Sequence, residues 1–193
     1  MISHGKEVFY MVVLLLANGF EESEAIVPAD MLRRAGVETV LAAVEGTQVT
    51  SSHGITVVAD TTMEQVDPAQ VELLVIPGGL PGVNCLKAHE GAQKFIRQVA
   101  DGKAQLASIC AGPTVLAQLG LVEGVNATCY PGMENEMAGA QTHPGTQVVE
   151  DGRVTTAESA GSAFEFGLKL VERLKGRAAA EQVAKSACFH GTF

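Results

Sequence analysis

Ten consecutive apolar residues, Val8–Ala17, stand near the start of the chain and limit what it can fold into. A half-exposed strand alternates apolar with polar residues; this run does not, so as a strand it must be covered on both faces. It is too short to cross a membrane, which takes about 20 such residues. It is also poorly built as a secretory signal core. Lys6 is cancelled by Glu7, no small-residue cleavage site follows, and the run gives way to Asn18-Gly19 and then Glu21-Glu22. The expectation is a first strand, Val8–Leu16, buried in the middle of a layered fold.

The rest of the chain alternates in type. Glu22–Ala35 places Ala25, Ile26, Ala29 and Leu32 at helical spacing, with Gly36 as the stop. Val37–Val44 reads as a strand, and Val49–Thr50 with Ile55–Val58 as a small hairpin around Ser51-Ser52-His53-Gly54. Val71–Ile76 is a strand ending in Pro77-Gly78-Gly79, and Gly91–Val99 an amphipathic helix. Gln105–Ile109 is a strand, with a helix over Thr114–Leu119 behind Pro113. Short strands are expected at Val125–Cys129 and Val148–Thr156, and helices at Ala163–Leu174 and Ala178–Ala187.

Strands alternating with helices imply a mostly parallel sheet covered on both sides. The expected fold is α/β, a flavodoxin-like three-layer α/β/α sandwich, as a single domain over residues 1–193. With 47% apolar residues, such a chain can bury its core without disulfides or metal. A formal charge of −9 argues against nucleic acid and against an anionic membrane surface as partners. Cys85, Cys110, Cys129 and Cys188 are scattered, with no C-x-x-C and no histidine at metal spacing. Reduced thiols in a cytoplasmic protein, and no metal, are expected.

In sheets of this kind ligands bind beyond the carboxyl ends of the strands. There the sequence offers Ala107-Ser108-Ile109-Cys110-Ala111-Gly112-Pro113, an apolar strand running into a cysteine with a helix directly after it. That is the pattern of a nucleophile elbow, whose sharp turn needs small neighbours such as Ala111 and Gly112. A helix start behind Cys110 would favour its thiolate. Free cysteines are commonly plain buried residues, and it is the elbow position that marks this one as reactive. The backbone N–H groups of Gly78-Gly79, with that of Ala111, can form an oxyanion hole, although the same glycines also suit an ordinary turn. For proton transfer the candidates are Glu21, Glu22 and Glu24, first-turn acids that a helix dipole would favour in any case. One of them, protonated by burial, could hydrogen-bond the thiolate. His4, His53, His89, His143 and His190 read as solvated surface residues.

Taken together, these segments resemble the ThiJ/PfpI superfamily. The resemblance is carried by Leu16-Ala17-Asn18-Gly19-Phe20-Glu21-Glu22-Ser23-Glu24, Arg33-Arg34-Ala35-Gly36, Val75-Ile76-Pro77-Gly78-Gly79, Ser108–Pro113 and Ser162-Ala163-Phe164-Glu165-Phe166-Gly167. It implies a class I glutamine amidotransferase-like domain and a homodimer. It also implies Cys110 as nucleophile, Glu24 as the protonated glutamate that hydrogen-bonds it and lowers its pKa, and Gly79 and Ala111 as oxyanion donors. Arg34 matches a dimer-interface arginine. His53 falls where relatives place an arginine that reaches the partner's site. One departure stands out, because several relatives carry His-Pro where this chain has Tyr130-Pro131. A phenol is a poor base at neutral pH, which weakens a Cys/His protease or amidase reading. Chemistry that needs only Cys110 and Glu24 survives: a cofactor-free glyoxalase or deglycase activity on a small aldehyde or glycated adduct. The alternative is a redox-sensing or chaperone-like stress protein in which Cys110 oxidises to sulfinate.

Overall fold

The computed structural model describes residues 10–193, so Val8, Phe9 and His4 lie outside the described residues. In chain order the strands are β1 (Met11–Leu16), β2 (Thr39–Ala43), β3 (Gln48–Thr50), β4 (Thr56–Val58), β5 (Thr61–Thr62), β6 (Val71–Ile76) and β7 (Gln105–Ile109). They continue with β8 (Asn126–Ala127), β9 (Gln141–Thr142), β10 (Val148–Asp151) and β11 (Val154–Ala157). The helices are α1 (Glu22–Arg34), α2 (Leu80–Ala88), α3 (Glu90–Asp101), α4 (Pro113–Gln118), α5 (Ala163–Lys175) and α6 (Arg177–Ser186). None is long and apolar enough to cross a membrane.

Seven strands form the middle layer in the order β10-β11-β7-β6-β1-β2-β5, all parallel except the edge strand β10. The unalternating run near the start of the chain is the reason β1 sits at its centre. Val13 and Leu15 point into a core shared with Val83, Phe95, Ile96 and Leu116, from α2, α3 and α4. Val12, Leu14 and Leu16 point into a second core with Leu32, Phe166 and Val183, from α1, α5 and α6. Successive strand side chains face opposite ways, so a strand with a core on each side must be apolar at every position. Helices cover both faces, as expected.

The sheet grows in both directions from β1, and the helix after β1 lies on the opposite face from those after β6. The switch point is therefore the gap between the carboxyl ends of β1 and β6, where ligand sites of this fold class form. Three loops meet there, after β1, β6 and β7.

Three points differ from the expectations. The single strand expected over Val148–Thr156 is two, β10 and β11, paired antiparallel around the two-residue turn Gly152-Arg153, with Gly152 at φ +55°. A glycine at the first position of the turn, Gly152, supplies the positive φ that such a hairpin needs. Helix α2 is absent from the sequence reading because Pro81 and Gly82 make its start look like loop. Proline is tolerated in a first turn, where its missing N–H has no partner to lose. The strand expected over Val125–Cys129 shrinks to β8, which pairs with β9 outside the main sheet.

Candidate functional site

β7 delivers its chain directly into Cys110, which adopts φ +64°. For a residue with a Cβ this left-handed conformation costs about 1–2 kcal/mol, and the surroundings must hold it. They do so through the backbone. The Cys110 N–H donates to Ala157 O at 3.0 Å, and its carbonyl accepts from the Tyr130 N–H at 2.8 Å. The Gly112 N–H closes the turn onto Ile109 O at 2.9 Å. Gly112 has no alternative, since a Cβ there would lie 2.5 Å from Ser108 Oγ and 2.6 Å from Ile76 O.

The loop after β6 supplies the second arm. Ser108 Oγ, fully buried, donates to Ile76 O at 2.9 Å and ties this arm to the elbow. The Gly78 N–H donates to Glu24 Oε2 at 2.9 Å, and Gly78 O accepts from the Glu21 N–H at 2.9 Å. A Cβ on Gly78 would meet Glu24 Oε2 at 2.5 Å and Cys110 Sγ at 3.0 Å, so a glycine here lets carboxyl and sulfur approach each other. The two glycines thus divide their tasks. Gly78 is committed to Glu24, and only the Gly79 N–H joins that of Ala111 in facing the sulfur.

α1 supplies the third arm and separates the three acids the sequence left open. Glu21 caps the helix, its Oε2 accepting from the Glu24 N–H and from Ser23 Oγ, both at 2.7 Å. Glu22 turns outward, 3.0 Å from His53 Nδ1. Glu24 turns inward and is 1% exposed. Its Oε1 is buried without a hydrogen-bond partner among the described residues.

Burial pushes the Glu24 carboxyl up to about 7, helped by the charge of Glu21 and opposed by the neighbouring Cys110 thiol and the N–H groups of Gly78 and Ala160. Burial also pushes the Cys110 thiol up to about 12. An ionised Glu24 adds to that rise by its charge and its hydrogen bond, while the Ala111 and Gly79 N–H groups pull the other way. Desolvation thus opposes the help that the two N–H groups and the start of α4 give to a thiolate. The two groups are linked through one proton. While Glu24 keeps it, the charge that opposes a thiolate is absent and the carboxyl O–H is a donor facing sulfur.

The other residues singled out in the sequence lie around this centre. Tyr130 holds the Cys110 carbonyl through its backbone and leaves its ring 48% exposed. His53 is exposed, its pKa raised by the hydrogen bond to Glu22 and by that residue's charge. Arg34 pairs with Asp30 one turn back on α1 at 2.8 Å, away from the elbow. It lines a groove with Ala35, Ala179, Gln182, Val183 and Ser186 that holds no cysteine. Ligand atoms of Glu21, Glu22 and His53 lie within 4.8 Å of one another, but the cap and the ion pair already occupy them. Sequence reasoning missed Ser108 as the clamp between two arms, since a serine inside an apolar strand gives no hint of which carbonyl it will meet.

Comparison with known proteins extends this picture. The model of the DJ-1/PfpI family matches residues 10–173. Protein dj-1beta of Drosophila melanogaster is 36% identical over 175 residues, covering 90% of this chain and 94% of that protein. Its crystal structure matches with a TM-score of 0.89 at 35% identity, over 93% of this chain and 98% of that one. A deglycase of Pyrococcus horikoshii is 32% identical over 165 residues, covering 85% of this chain and 99% of that protein. Oxidized DJ-1 of Toxoplasma gondii matches with a TM-score of 0.87 at 30% identity, over 94% of this chain and all of that one.

Proposed function

The chain belongs to the DJ-1/PfpI family, and from that premise we propose that it is a cysteine-dependent, cofactor-free enzyme of the glyoxalase or deglycase type. The observation that carries the reading is the Glu24–Cys110 pair, a carboxyl pushed up to about 7 by burial facing a strained elbow thiol across Gly78. A carboxyl that titrates near neutral pH can both take a proton and give it back, which is the property a proton shuttle needs.

The step balances with water alone. Glu24, as its carboxylate, takes the Cys110 thiol proton while the sulfur adds to the aldehyde carbon of an α-oxoaldehyde, forming a C–S bond. The oxygen gains charge between the N–H groups of Gly79 and Ala111, then takes the proton of Glu24. Glu24, now a carboxylate, removes the hydrogen on that carbon as a proton and returns it to the neighbouring carbon, while the hydroxyl proton passes to the former ketone oxygen. The aldehyde carbon is oxidised and the ketone carbon reduced by the same two electrons. Water hydrolyses the thioester, releasing a 2-hydroxy acid and restoring the thiol. A glycated adduct enters at the same carbon and loses its amine or thiol partner.

The test is lactate formation from methylglyoxal by the purified protein without glutathione. Turnover lost in both Cys110→Ala and Glu24→Ala is the expected result, and full activity in either variant overturns the mechanism. A second reading rests on the unpartnered Glu24 Oε1: its O–H could donate to an oxygen of a Cys110 sulfinate, making the site a redox sensor. Mass spectrometry after mild peroxide should then find two added oxygens on Cys110, and their absence argues against it. We also propose a homodimer, supported by exposed apolar side chains on α1 (Ile26) and at the β3–β4 hairpin (Ile55, Val58). Sedimentation at micromolar concentration should give twice the chain mass.

A further inference from the structure

We infer that the substrate of this site carries an apolar, preferably aryl, group beside its aldehyde, as an arylglyoxal does. The inference rests on the aldehyde reading above. The two segments that frame Cys110 each present an exposed apolar side chain. Gly79, whose N–H faces the sulfur, is followed directly by Leu80, the first residue of α2 and 56% exposed. On the other side Tyr130, whose N–H holds the Cys110 carbonyl at 2.8 Å, is 48% exposed.

Exposed large apolar side chains are few here. Seven stand out among the described residues, and these two belong to the frame of one sulfur atom. Packing explains only part of each, since about half of each residue remains in water. A flat phenol and a branched aliphatic chain flanking a nucleophile remove apolar surface from water only when a bound group covers them.

Charge sharpens the class. The third side of the site is the start of α1, where among the described residues Glu22 is paired with the exposed imidazole of His53 and Glu21 with no cation. Two carboxylates against one titrating cation disfavour an anionic substituent, so the preferred group is neutral as well as apolar. The reaction is the one already balanced, with phenylglyoxal giving mandelate as methylglyoxal gives lactate.

The experiment compares phenylglyoxal and methylglyoxal in the wild type, in a Leu80→Ser/Tyr130→Ser double variant and in Tyr130→Phe. The expected result is a ratio of kcat/KM, phenylglyoxal over methylglyoxal, that falls roughly tenfold in the double variant and is kept in Tyr130→Phe. A ratio unchanged in the double variant overturns the inference. A second readout needs no turnover: the rate of Cys110 alkylation by N-phenyl iodoacetamide relative to iodoacetamide. That ratio should fall in the double variant by a similar factor, and a constant ratio again overturns the inference. If neither aldehyde is turned over while the alkylation ratio still falls, the aldehyde chemistry is lost and the apolar rim stands.

Discussion

Cys110 and Cys129 make an instructive pair. Both are half or fully buried beside the same switch point, and burial raises both thiols, Cys110 to about 12 and Cys129 to about 11. Their surroundings differ. Cys129 is 3% exposed in the core beneath α4, and the charges nearest it, Glu134 and Glu136, only push it further up. Cys110 lies between the two cores at the end of β7, with two N–H groups facing it and a protonable carboxyl across Gly78. A raised thiol therefore does not by itself distinguish the two cysteines. What differs is whether a neighbour can supply a proton and stabilise the charge that a reaction at sulfur would create.

Gly78→Ala should break this difference most strongly. The new Cβ would press on Glu24 Oε2 at 2.5 Å and on the Cys110 Cβ at 2.7 Å, driving carboxyl and thiol apart. A displacement approaching 1 Å costs about a hundredfold in rate, so kcat/KM and the alkylation rate of Cys110 should both fall by about that factor. Cys129, outside the loop, should keep its wild-type resistance to alkylation. Unchanged Cys110 kinetics in Gly78→Ala would mean that the approach of the two groups is not what activates the thiol.

Glu24→Gln tests the shared proton through stability. The folded-state pKa of Glu24 is raised, so between its ordinary value of 4.5 and about 7 the native state holds a proton that the unfolded state has lost. Wild-type stability must therefore fall as pH rises through that window, and the loss is complete above pH 7. Glutamine carries no such proton. The stability gap between Glu24→Gln and wild type should shift in favour of the variant by about 2–3 kcal/mol from pH 4.5 to pH 8, measured by urea unfolding. Cys129→Ala should leave the wild-type pH slope in this window intact. Parallel curves for Glu24→Gln and wild type would show that the carboxyl is ionised throughout.

The central strands β1, β2, β6 and β7, their parallel core and the elbow were readable because each has a local cause. The unalternating run of β1 requires two cores, and small residues behind Cys110 permit only a sharp turn. The division of labour at the site was not readable from the residues alone. Glu21, Glu22 and Glu24 are equivalent in a string of first-turn acids, and the helical phase of α1 against β6 decides which one meets Gly78. In the same way Gly78 and Gly79 look alike until the loop gives one N–H to Glu24 and leaves the other for the sulfur. A helix start announces itself in sequence, whereas the desolvation that opposes it at Cys110 depends on both cores closing around the sulfur.

The smallest effect is the sharpest test of the pairing. If Cys129 is only core, Cys129→Ala should cost stability in proportion to the apolar surface it gives up, about 1 kcal/mol for a sulfur 3% exposed with its residue. Turnover and Cys110 alkylation should not change, because Cys129 contributes no group to the elbow. Cys110→Ala should cost roughly half as much stability or less, since Cys110 is only partly buried and alanine keeps the same backbone conformation. The two variants would then be opposites, one losing stability without chemistry and the other chemistry with little stability. Chemical unfolding beside an alkylation assay on both variants decides it. A large loss of Cys110 reactivity in Cys129→Ala would instead mean that the segment crossing the elbow at Tyr130 depends on Cys129 packing to hold the Cys110 carbonyl.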